Sequence, residues 1–164
     1  MTANSSIRIR PATNDDATAL IDFAAAMALE TERKVLLRDV IGTGVRHLLA
    51  HPGMGFYLMA ECGGEVAGSL MVTTEWSDWR NGNFWWVQSV YVRPEFRRRG
   101  VYRRLYRYLQ ERAAQDPGVC GFRLYVERDN SRAQATYRAA GMEQTHYILF
   151  EELKAAVRFY EPAK

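Results

Sequence analysis

Apolar and polar positions change period several times along this chain, and each change predicts an element. Residues 7–10 alternate as a strand does, and Asn14 or Asp15 can cap a helix whose apolar positions are Ala17, Leu20, Ile21, Ala24 and Met27. A polar connection at 30–34 precedes a second helix over 36–50. Strands over 55–62 and 65–75 meet at Gly63-Gly64, a hairpin turn signal, and residues 78–82 join the latter to a strand over 83–92. Period-two alternation in that strand places Trp86, Gln88 and Val90 on one face. A helix over 99–115, a strand over 120–127, a helix over 131–140 closed by Gly141, and a strand over 143–151 complete the pattern.

This order, with no repeat, linker or low-complexity segment, predicts one α/β domain spanning 1–164. Almost half of the residues (48%) are hydrophobic, which argues against disorder. The net charge of +3 is mild, and its positive part clusters around 97–107, so it points to a local anion site before a nucleic-acid surface. Cys62 and Cys120 fall in predicted strands without any Cys-x-x-Cys spacing, and read as reduced core thiols. His47, His51 and His146 lack metal-ligand spacing, so no metal is expected. No charged start followed by an apolar stretch predicts export or membrane insertion; the expected location is cytoplasmic.

The candidate chemistry lies where the strand over 83–92 passes into a helix through Arg97-Arg98-Arg99-Gly100-Val101-Tyr102-Arg103-Arg104. Free amides at a helix start, one of them at a glycine, can surround a phosphate while arginines neutralise it. The same arginines would also suit the solvated face of an amphipathic helix. Neither a Walker loop nor Gly-x-Gly-x-x-Gly is present. A second segment, Leu124 to Asn130, ends in cap residues, after which Asn130, Ala133 and Tyr137 share one face of a short helix.

Together, Arg97-x-x-Gly100-x-Tyr102 and Asn130...Ala133...Tyr137...Gly141-Met142 resemble the two acetyl-CoA motifs of the GNAT superfamily of N-acetyltransferases, with Tyr102 in place of the usual small residue. The resemblance covers roughly residues 7–150. It implies the GNAT acyl-CoA N-acyltransferase fold: a mixed, mostly antiparallel, splayed sheet flanked by helices. It further implies acetyl-CoA as co-substrate, with Val90, Tyr91 and Val92 along the pantetheine arm. The pyrophosphate would meet Arg97, Arg98, Arg99, Gly100, Val101, Tyr102 and Arg103, while Asn130, Ala133 and Tyr137 face the cofactor. Tyr137 matches the residue that protonates the departing thiolate in many members, and an amide near Val90 would help hold the oxyanion.

The family's strand glutamate has no counterpart here, since Trp86 holds the matching position and Gln88, two residues on, cannot ionise. Gln88 is expected to orient water or substrate, and Glu30, Glu32, Glu75, Asp78 and Glu127 are the candidate bases. Glu30, Glu32, Trp76, Trp86, Gln88 and Tyr125 are the expected acceptor contacts. The acceptor is read as a primary amine of a small molecule or an amino terminus, with no nucleic acid or membrane as partner and a homodimer compatible with the sequence. A non-catalytic acyl-CoA-binding module is the alternative.

Overall fold

The computed structural model describes residues 6–163. A five-stranded sheet runs in the order β1 (Ile7–Pro11), β3 (Gly55–Cys62), β4 (Glu65–Ser77), β5 (Gly82–Val92), β6 (Val119–Leu124). All neighbours are antiparallel except β5 and β6. A two-stranded sheet joins β2 (Lys34–Leu36) to β7 (Tyr160–Pro162). Helices α1 (Ala17–Glu32) and α2 (Arg38–Ala50) pack on one face of the large sheet, and α3 (Val101–Ala113) on the other; α4 (Ser131–Ala139) follows β6.

Strand alternation sorts the core into two layers. From β3, Leu58, Ala60 and Cys62 join Leu70, Val72, Trp85, Val87 and the α3 residues Val101, Leu105 and Leu109. Tyr57 and Met59 point the other way and pack with Leu20, Ile21 and Phe23 of α1 and with Val45 and Leu48 of α2. Leu105 and Leu109 have no exposed surface, and burial stabilises each by about 1.5–3 kcal/mol. At the entry to α1, the buried Asp16 carboxylate takes two hydrogen bonds from the Arg10 guanidinium, at 2.7 and 2.9 Å, and one from the Thr13 amide at 2.7 Å. That pairing holds the carboxyl below the usual carboxylate range.

Where β5 crosses the middle of the sheet, its alternation breaks. Ser69 pairs with Tyr91 and Met71 with Gln88, so Leu70 alone opposes Ser89 and Val90, and Ser89 takes a left-handed φ of 47°. This β-bulge inverts the strand's parity. Trp85 and Val87 belong to the α3-side core, yet Tyr91 belongs to the α1/α2 side, while Val90 and Val92 pack against the α3 side. The expectation that Trp86, Gln88 and Val90 share a face is therefore corrected, because the extra residue turns Val90 to the opposite face from Trp86 and Gln88.

Other boundaries shift as well. α3 starts at Val101 because Arg98 and Gly100 adopt φ of 62° and 81°, which no right-handed helix accommodates. β6 stops at Leu124, leaving Tyr125 and Val126 exposed. β2 spans the join between the expected polar connection at 30–34 and the expected second helix at 36–50, and it is paired only because the far part of the chain arrives as β7. The strand expected over 143–151 does not form: Tyr147, Ile148, Leu149 and Phe150 are 81%, 70%, 65% and 87% exposed. The apolar run has strand character but no strand beside it, since the Met142 amide closes α4 on Tyr137 O and β7 draws the following chain to β2.

Candidate active site

Three features converge on the C-terminal half of β5. The first is the turn into α3. Within this helix the Arg104 amide is the first to find an i−4 acceptor, Gly100 O at 3.0 Å, which leaves the preceding amides of the first turn free. The three atoms nearest to a Cβ placed on Gly100 all belong to the Arg103 guanidinium, at 3.5 to 3.9 Å, which is ordinary contact with the end of a flexible side chain. Free amides, a helix N-terminus and the side chain of Arg103 suit a diphosphate. Arg97 is engaged otherwise: it donates to Val92 O at 2.8 Å and to Glu30 at 2.7 Å.

The second feature is an open strand edge. β6 pairs with β5 only from Asn83 to Val87, after which the two strands part. Along the edge turned toward β6, residues 88–92 thus have no strand partner among the described residues, and an extended, amide-bearing ligand arm could pair there. Val90 and Ser89 are in register with neither neighbour. The carbonyl of Val92 is partly committed to Arg97.

A cavity of about 250 Å³ on the α1/α2 side is the third feature. Leu20, Ala24, Ile41, Val45, Leu48 and Met71 supply its apolar wall, and Tyr57, Ser69 and Ser89 bring hydroxyls. No charged side chain lines it. Burial pushes the Tyr57 hydroxyl above its ordinary pKa, so it stays protonated as a hydrogen-bond donor. Tyr57, Ser69 and Ser89 carried no sequence signal: they become neighbours only through the β3–β4–β5 register and the bulge.

Tyr137 lies on α4 with its ring against Tyr102, centroids 5.7 Å apart, and burial raises the pKa of its hydroxyl. Tyr102 is half-buried with its hydroxyl oxygen enclosed; that hydroxyl has no hydrogen-bond partner among the described residues, and burial drives its pKa far up. The residue that departs from the family pattern thus packs an aromatic ring between α3 and Tyr137. Asn130 caps α4, accepting from the Ala133 amide at 3.0 Å.

The expected acceptor contacts divide. Trp86, Gln88 and Tyr125 cluster: Trp86 and Tyr125 rings lie 4.4 Å apart, and Gln88 donates to Thr73 Oγ1 at 2.5 Å. Glu75 is part of this group, accepting from Trp86 Nε1 and, at 2.7 Å, from Arg123. Trp76 does not join it and is 59% exposed. Glu30 accepts from Arg97 and, at 3.2 Å, from the Tyr91 hydroxyl, while Glu32 pairs with Lys34 at 2.6 Å. Three of the carboxylates considered as bases or acceptor steers, Glu30, Glu32 and Glu75, are thus paired with cations, and none lines the cavity. Among the described residues, no group of three or more His, Cys, Asp or Glu could hold a metal ion, and no helix is long and apolar enough to cross a membrane.

Comparison with known proteins agrees with this fold. The model of the acetyltransferase (GNAT) family matches residues 17–142, and the chain belongs to that family. It is 41% identical to a possible acetyltransferase from Clostridium difficile 630, with 90% of this chain and 97% of that chain covered and a TM-score of 0.84. Similar in fold alone are aminoglycoside N-acetyltransferase AAC(6')-Iy in complex with CoA (17% identity; 94% and 99% covered; TM-score 0.74) and glucosamine-6-phosphate N-acetyltransferase from Arabidopsis thaliana (15%; 91% and 99%; 0.69). Among curated proteins, none matches the sequence.

Proposed function

We propose that this protein transfers the acetyl group of acetyl-CoA to a primary amine of a small molecule or an amino terminus, by direct attack. The β5 bulge carries this reading. At Ser89 and Val90, backbone without ladder partners lies between an open strand edge leading back from the α3 amides and an uncharged cavity able to receive an acceptor. The α3 turn would bind the diphosphate of acetyl-CoA, and the β5 edge would align its arm. A neutral amine in the cavity attacks the acetyl carbonyl, and an amide near Val90 stabilises the negative charge on oxygen. The thiolate of CoA leaves and takes a proton from the Tyr137 hydroxyl, while the attacking nitrogen loses its extra proton to water, which returns one to the Tyr137 oxygen and restores the acid.

No carboxylate lines the cavity, so an acceptor that is already neutral at working pH is favoured. An α-amino group, with a pKa near 8, supplies far more neutral nucleophile than a lysine side chain near 10.4. The apolar wall further suits a compact, uncharged body beside that nitrogen. Its two unpaired cysteines fit a reducing, cytosolic setting.

The missing strand carboxylate also favours a second reading, a module that binds acyl-CoA without turning it over. Release of free thiol from acetyl-CoA across a panel of amines separates the two. Amine-dependent release with mass-detected acetylated product is expected of the enzyme; tight calorimetric binding of acetyl-CoA with no release from any amine would establish the module instead.

A further inference from the structure

The α1/α2 face of the sheet carries an aromatic floor that neither core layer uses. Because Trp85 and Val87 point into the α3-side core, Phe84, Trp86 and Gln88 face the other way. By the same alternation Thr73 and Glu75, beside Val72, share that face, and so does Arg123, between Phe122 and Leu124. Trp86 joins neither hydrophobic cluster and is half-buried, with its ring 4.4 Å from that of Tyr125, which is 55% exposed. A tryptophan on an interior strand, left out of the core and backed by a second ring, presents a broad rigid apolar surface.

The floor adjoins the cavity. Met71, which lines the cavity, is in register with Gln88, and Gln88 donates to Thr73 Oγ1 at 2.5 Å, so one face leads from Met71 past Gln88 to Trp86. At the far end the Arg123 guanidinium lies 3.8 Å over the Phe84 ring and donates to Glu75 at 2.7 Å, and Glu75 also accepts from Trp86 Nε1. The indole nitrogen and the Glu75 charge are therefore satisfied within the protein, and what the floor offers a ligand is its ring surface.

We propose that this floor receives an aromatic ring of the acceptor, which makes the acetylated amine one joined to a flat aromatic body by a flexible spacer. This rests on the acetyl-transfer reading above. Three strand residues separate Trp86 from Ser89, about 10 Å. A nitrogen at the Ser89–Val90 backbone and a ring on Trp86 are bridged by a chain of several bonds of about 1.5 Å, and not by one methylene. The paired charges set a second limit. With Glu75 held by Arg123, Glu30 by Arg97 and Glu32 by Lys34, none of the three carboxylates is free to take the additional ammonium of a polyamine, whereas an uncharged ring needs no such partner.

Initial rates of thiol release at one pH compare 4-phenylbutylamine with hexylamine, benzylamine and spermidine. For 4-phenylbutylamine, kcat/KM is expected to exceed that for hexylamine by roughly 3-fold to 10-fold, about what one aromatic pair contributes. Trp86→Leu should bring this ratio near one while the Kd for CoA, read by calorimetry, keeps its wild-type value. Tyr125→Ala, at an exposed position beyond β6, should lower the ratio as well. Equal rates for the two amines, a benzylamine or spermidine that outruns 4-phenylbutylamine, or a ratio that survives both variants would overturn the proposal. Absence of release from every amine would refute acetyl transfer instead, and the floor is then read by saturation-transfer NMR of 4-phenylbutylamine with the CoA complex. Saturation of its ring protons should be strong in the wild type and lost in Trp86→Leu; no difference between the two would overturn the ring site.

Discussion

Replacing Gly100 with alanine should damage cofactor binding far more than stability, and the two effects can be calculated apart. Gly100 sits at φ 81°, where a side chain costs roughly 1–2 kcal/mol. The alanine also stiffens the unfolded chain, which returns about 0.4–1 kcal/mol. The atoms nearest the added methyl belong to the flexible Arg103 guanidinium, at 3.5 to 3.9 Å, so no clash is added, and the net loss is about 1 kcal/mol. For a chain of this size that lowers Tm by about 2–4 °C. The same methyl stands where a diphosphate would approach the α3 amides. Losing two hydrogen bonds to a charged group costs about 3–6 kcal/mol, or roughly 100-fold to 10,000-fold in Kd. Calorimetric titration with CoA, beside a thermal melt, reads both. A folded Gly100→Ala protein with wild-type CoA affinity would show that the phosphates lie elsewhere. Affinity that fell only in proportion to stability would refute the division just calculated.

Tyr137→Phe should leave CoA binding intact and lower turnover by about 100-fold to 10,000-fold where chemistry limits the rate, measured by single-turnover thiol release. Since burial holds the Tyr137 hydroxyl above its ordinary pKa, it stays protonated through neutral pH, and the wild-type rate should climb with pH until the bound amine is neutral, with no fall before that point. Ala24→Leu narrows the cavity from α1 and should raise the acceptor's KM while the cofactor's KM holds, as initial rates would show. Asp16 has a depressed folded-state pKa, so its stabilisation is complete above the unfolded value of about 3.9 and disappears as pH falls through the folded value. Asp16→Ala should cost about 1–3 kcal/mol at pH 7 in denaturant melts, and this difference from wild type should shrink in acid.

Periodicity revealed the helices, the hairpin of β3 and β4, and the glycine turn into α3, because each depends on residues close in sequence. What it missed is non-local. The Ser89 bulge arises from a register mismatch between β4 and β5, and nothing in Gln88-Ser89-Val90 announces a left-handed serine. β2 exists through a partner more than a hundred residues away, and the run at 146–150 has the composition of a strand without the neighbour that would make it one. Glu30 illustrates the same limit at the site. Its sequence neighbours suggest an exposed steering charge, whereas the fold brings Arg97 and Tyr91 to it.

The inverted parity of β5 has an evolutionary corollary. The turn that would hold the diphosphate belongs to the α3 side, and the cavity is walled largely by α1 and α2 on the other. One misregistered residue pair is the hinge between them. If the cavity receives the acceptor, substitutions at Leu20, Ala24, Ile41 or Val45 would reshape acceptor preference from the side opposite the α3 turn, and lineages sharing this scaffold would be free to diversify in what they modify without relearning how to hold what they modify it with.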